Sequence, residues 1–149
     1  MKPAFAFLLI PALASCAAEP DEDGEPTAEA VEAASEGPRA VVEAYYRAVS
    51  AREYDTAWQL WGEDPEAEPE EFAAFTEGFE TTEIALAEVD EAGTERSRNS
   101  WIYVEVPVRV EDLKSDGSGN SYKGTYTLRR PAYDEEAWEL HEGNLEITG

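Results

Sequence analysis

The strongest constraint on this chain is an alternation near its middle. Ile102, Val104, Val106, Val108 and Val110 occupy every second position, which predicts a strand from about Ser100 to Leu113 with one wholly apolar face. Glu105 and Arg109 fall on the other face, beside Trp101 and Tyr103. Pro107 cannot donate to a ladder, so a bulge or an edge position is expected there. Ser115-Asp116-Gly117-Ser118-Gly119-Asn120 reads as a hairpin connection; it lacks the spaced carboxylates and closing Glu of a calcium loop. Tyr122, Gly124, Tyr126 and Leu128 then alternate with Lys123, Thr125, Thr127 and Arg129, giving a second long strand. Thr82 to Asp90 reads as a further strand with Ile84 and Leu86 on one face, closed by a turn at Ala92-Gly93. Trp138 and Leu140 share the face of a last strand, and Leu145 and Ile147 resume in the opposite phase, so a bulge is expected at Gly143-Asn144.

Upstream of these strands the period is helical. Pro38 suits the first position of a helix, and Val42, Tyr45, Tyr46 and Val49 then share one face up to Ser50. Tyr54, Ala57, Trp58 and Trp61 predict a second short helix ending near Gly62, its Trp pair turned inward. After Pro65 and Pro69, the set Phe72, Phe75 and Phe79 predicts a third helix from about Glu70 to Gly78. Helices followed by about four antiparallel strands make an α+β domain over residues 38–149, with N-terminal helices packed on one face of a curved sheet.

The first fifteen residues read as an export signal: Lys2 is positive and Ala4 to Ala14 is apolar apart from Pro11. At about 11 residues this stretch is far short of the ~20 that cross a bilayer. Leu13-Ala14-Ser15-Cys16 resembles the bacterial lipobox, which implies that Cys16 receives diacylglycerol and becomes the first mature residue. Two or more acyl chains hold a small protein on a leaflet, so the resemblance implies a lipid-anchored protein of the cell envelope. Ala17, where Asp would favour inner-membrane retention, points to the outer membrane facing the periplasm. From Ala17 to Gly37 the chain carries eight acids and no base, together with Pro20, Gly24 and Pro26. Residues 16–37 are therefore expected to form an acidic tether, with only a transient helix over Thr27 to Ser35 because no apolar face is evident.

Composition narrows the partners. A formal charge of -23, with eleven basic residues among thirty-four acids and no basic stripe, excludes a nucleic-acid partner. One His and one Cys, the latter in the lipobox, leave no transition-metal set, and no cofactor motif is visible. His141, beside Glu139 on the polar side of the last strand, reads as solvated.

Ala40 to Val49, then Arg52-Glu53-Tyr54-Asp55-Thr56-Ala57-Trp58, with Tyr122-Lys123-Gly124-Thr125-Tyr126 and Trp138-Glu139-Leu140, resembles the nuclear transport factor two-like superfamily. The resemblance implies a cone in which a bent sheet wraps around helices. It also implies a homodimer through the sheet face, and a cavity that isomerases and dehydratases of the superfamily line with acids, Tyr or His. The residues that would line such a cavity here are Tyr46, Trp58, Trp61, Phe79, Trp101, Tyr103, Tyr122 and Tyr126. Aromatics without a catalytic set suggest a non-catalytic module that binds an envelope protein or a small apolar ligand. The alternative is a small isomerase- or dehydratase-like enzyme using a buried acid or Tyr.

Overall fold

A computed structural model describes residues 26–149 of the chain. The export signal, Cys16 and the expected tether as far as Glu25 lie outside the described residues.

The first described element corrects the expected tether. Helix α1 (Ala28–Glu36) packs against α2 (Pro38–Ser50), and its Ala30 and Ala33 are each 4% exposed. The domain therefore begins before Pro38. Two small residues at i and i+3 bring the helix backbones close, a face too narrow to register as an apolar stripe. Polar contacts fix its start. The Thr27 hydroxyl accepts from the Ala30 N–H at 3.3 Å and pairs with the Thr56 hydroxyl at 2.9 Å, while the Thr27 N–H donates to Gln59 Oε1 at 2.7 Å. Gly37, at φ 127, turns the chain from α1 into α2, a conformation open to glycine.

Helix α2 begins at Pro38 as its pattern predicts and buries Val41, Val42, Ala44, Tyr45, Tyr46, Ala48 and Val49. Short α3 (Tyr54–Gln59) and α4 (Pro69–Gly78) follow, and α4 contributes half-buried Phe72 and Phe75 without burying any residue fully.

Five strands form one antiparallel sheet in the order β1-β3-β4-β5: β1 (Thr82–Val89), β3 (Trp101–Lys114), β4 (Gly119–Pro131) and β5 (Glu139–Ile147), with the short β2 (Arg96–Arg98) also on β3. The sequence reading missed β2 because Arg-Ser-Arg has no apolar alternation. β4 pairs with β3 from Trp101 to Leu113, so β1 and β2 share the opposite edge of β3, at its two ends. Pro107 lies in the gap between them, on a central strand without a bulge. Its carbonyl accepts from the Asp90 N–H at 3.0 Å, and its missing donor points the same way, where β1 has ended and no ladder needs it.

One further expectation is corrected. The break in β5 falls at His141, since Thr127 pairs with Glu142 while Leu128 pairs with Leu140. Gly143 serves another purpose, because a Cβ there would lie 2.8 Å from the Tyr126 ring. In β1 the inward residues are Ala85, Ala87 and Val89, partners of Asp112, Val110 and Val108, whereas Ile84 and Leu86 are 44% and 64% exposed on the outer face. Small inward residues let α2 lie close to this edge strand. The Ser50 hydroxyl then closes the edge, donating to the Ala85 carbonyl and accepting the Ala85 N–H, both at 2.9 Å.

Candidate functional site

The helices cover the face that carries Val104, Val106, Val108, Val110, Leu128 and Leu140, all at most 3% exposed. Between that layer and α2 lies a partly open cavity of about 210 Å³. Helix α2 supplies Tyr45 and Tyr46, the end of α4 supplies Gly78 and Phe79, and β1 supplies Thr82 and Ala85. Val110, Asp112 and Lys114 come from β3, Tyr122 and Tyr126 from β4, and Leu145 from β5. Strand alternation explains this convergence: Val110, Asp112 and Lys114 share one face of β3, and Tyr122 and Tyr126 share the matching face of β4.

At the buried end, the Tyr46 and Tyr126 hydroxyls share a hydrogen bond of 2.5 Å. These residues are 6% and 5% exposed. Burial pushes the phenols of Tyr45, Tyr46 and Tyr126 above their ordinary range, and for Tyr126 the Tyr46 phenol adds to the shift. All three stay neutral at physiological pH. A pair of neutral phenols uses one proton in its shared bond, leaving the other free to donate.

The more exposed end differs. Asp112 is half-buried and engaged within the protein: Oδ1 accepts the Asn120 N–H at 2.8 Å and Oδ2 accepts the Tyr122 hydroxyl at 3.3 Å. Burial, then the Asp112 charge, raises the Tyr122 phenol. Lys114, also half-buried, makes none of the ion pairs found among the described residues.

Of the aromatic residues expected to line a cavity, Tyr46, Phe79, Tyr122 and Tyr126 do so. Trp58 and Trp61 turn inward but belong to the packing behind it. Trp58 stands 5.0 Å from Phe75, and Trp61 stands 6.0 Å from Tyr45 and 6.1 Å from Tyr126, ring centre to ring centre. Trp101 and Tyr103 lie on the opposite face of the sheet. There Arg129 sits 4.2 Å over the Trp101 ring and pairs with Glu139 at 2.8 Å, while Tyr103 meets exposed His141 edge-on at 5.6 Å. Tyr45, Asp112 and Lys114 were not anticipated as site residues. Tyr45 follows the helical period that selects Val42 and Val49, and Asp112 and Lys114 continue the parity of Val108 and Val110.

The outer face also has a depression of about 500 Å³ by Arg96, Arg98, Tyr103 and His141, open and walled by exposed side chains. The inner cavity combines apolar walls with a few polar groups, the pattern of a small-molecule site. No group of three or more metal-ligating side chains occurs among the described residues. None of their helices is long and apolar enough to cross a membrane.

No protein-family profile matches the chain, and no curated protein matches it. Two solved structures are similar. The crystal structure of the Kfla4162 protein from Kribbella flavida is 14% identical, covering 82% of this chain and 90% of its own, with a TM-score of 0.51. The solution structure of RPA3114, a SEC-C motif containing protein from Rhodopseudomonas palustris, is 19% identical over 75% of this chain and 79% of its own, with a TM-score of 0.46. The likeness to the Kribbella protein concerns the fold alone.

Proposed function

We propose that the chain is a lipid-anchored envelope protein whose domain, a cone of the nuclear transport factor two-like kind, binds a small apolar ligand without transforming it. One observation carries the binding half of this reading: a cavity of about 210 Å³ between α2 and the sheet, walled in part by Phe79, Ala85, Val110 and Leu145 and floored by the neutral Tyr46–Tyr126 pair. Roughly 150 Å³ accommodates benzene in a protein interior, so the space suits a single-ring molecule. The cone reading is supported by helices covering one face of a sheet with bulges in β1 and β5, because bulges bend strands.

The non-catalytic reading rests on the state of the titratable groups. General acid–base chemistry needs a group poised near the working pH, whereas burial drives these phenols away from it and Asp112 is held by Asn120 and Tyr122. The lone His faces the outer side of the sheet.

The anchor half rests on Leu13-Ala14-Ser15-Cys16. Its test is fatty-acid labelling of the precursor in a bacterial host against Cys16→Ser; label retained by the variant removes it. For the cavity, single-ring probes titrated into the full chain in detergent are expected to raise its melting temperature. Ala85→Leu is expected to abolish that rise, because Ala85 lines the cavity from the buried face of β1 and a longer side chain there enters the space. Equal responses from both proteins would place binding elsewhere.

A further inference from the structure

The two ends of the cavity differ in charge, and that difference specifies the ligand more closely than its size does. This inference rests on the binding reading above. The buried end offers neutral groups only, the Tyr46–Tyr126 pair, with Phe79, Val110 and Leu145 as apolar wall. The open end holds two opposite charges on one face of β3, two residues apart, and they are not equivalent. Each carboxylate oxygen of Asp112 already accepts one hydrogen bond, Oδ1 from the Asn120 N–H and Oδ2 from the Tyr122 hydroxyl, which tie the group back against β4. Lys114 lines the same cavity, pairs through its backbone with Thr82, and makes no ion pair among the described residues. Asp116, in the exposed turn that follows, is lowered chiefly by hydrogen bonds from the Ser118 side chain and N–H, with Lys114 the smallest contributor. Among the described residues, half-buried Lys114 is thus left without an ion-pair partner beside the cavity.

We propose that the cavity takes a small monocarboxylate with a single-ring or branched apolar body, its carboxylate on Lys114 and its body against Phe79 and the buried tyrosines. The opposite orientation is unfavourable: a carboxylate at the floor would lose its hydration in exchange for neutral phenols. An amine at the mouth would meet Lys114 as a like charge, whereas Asp112, the like charge to a carboxylate, is tied back by Asn120 and Tyr122. The net charge of -23 opposes any anion at long range, yet it is screened within about 8 Å at physiological salt, while the Lys114 contact is local.

The test uses benzoate, benzamide and benzylamine, three probes of one shape and different charge, titrated by calorimetry into the full chain in detergent. Benzoate is expected to bind about tenfold more tightly than benzamide, the scale of one charge-assisted hydrogen bond. Lys114→Met should remove that preference by weakening benzoate about tenfold, and Lys114→Arg should retain it. The apolar stem kept by Met preserves packing, and an unchanged melting temperature would verify the fold. Equal binding of benzoate and benzamide, or tighter binding of benzylamine, would overturn the carboxylate assignment and leave the cavity as a binding site. Failure of all three probes would overturn the assignment together with the reading it rests on.

Discussion

On the inner face of the sheet Tyr126 is 5% exposed and shares a hydrogen bond with Tyr46, whereas on the outer face Trp101 and Tyr103 stay half-buried beside Arg129 and His141. The residue types are alike; the surroundings are not. Inner aromatics are fixed by a layer of helices and raised in pKa by burial, and they frame a cavity. Outer aromatics lean on the polar side chains of Arg129 and His141. The face a residue occupies follows from its parity along the strand, and its role follows from the face.

Four measurements would break or sharpen this contrast. Leu128→Ala, at 0% exposure on the inner face, is expected to cost about 3 kcal/mol in denaturant unfolding, against less than about 1 kcal/mol for Tyr103→Ala. Similar losses would erase the distinction. Gly124→Ala should cost about 2 kcal/mol, because a Cβ there would lie 2.0 Å from the Asn144 carbonyl and the β4–β5 backbones would have to part. An unchanged midpoint would show that this edge of the cavity is loose. Trp101→Ala is expected to cost about 1 kcal/mol through the lost Arg129 contact, and raised salt should weaken the wild-type interaction.

The smallest effect at neutral pH, and the most diagnostic at high pH, concerns the phenols. Tyr45, Tyr46 and Tyr126 are raised above the ordinary value of 10.0, so the folded state holds their protons where the unfolded state releases them. Their burial costs nothing in ionisation below that value, and stability falls as pH rises above it. Phenolate absorbance from these three should therefore appear only together with loss of far-ultraviolet helix signal. A gradual rise in a still-folded protein would mean that solvent reaches the floor of the cavity.

Much of this architecture is legible in the sequence wherever large side chains keep a strict period. Pro38 starts α2, the run from Ile102 to Val110 marks β3, and Tyr122 to Leu128 marks β4. What escaped detection depends on small or polar residues. Helix α1 docks on two alanines, and β1 turns Ala85 and Ala87 inward while leaving Ile84 and Leu86 outside. Hydrophobic size therefore points to the wrong face of that strand. Trp101 and Tyr103 were grouped with the cavity by residue type, although their parity with Glu105 and Arg109 already set them on the polar face. Asp112 and Lys114 carry the parity of Val108 and Val110, but charges at a strand end read as solvated surface.

The most direct test is a crystal structure of the full chain grown with 4-iodobenzoate, whose iodine marks its position by anomalous scattering. The account predicts one strong iodine peak on the helix-covered face, between Phe79 and Tyr126, with the carboxylate turned towards Lys114. A peak against Trp101 and Tyr103, with the inner space empty, would contradict it.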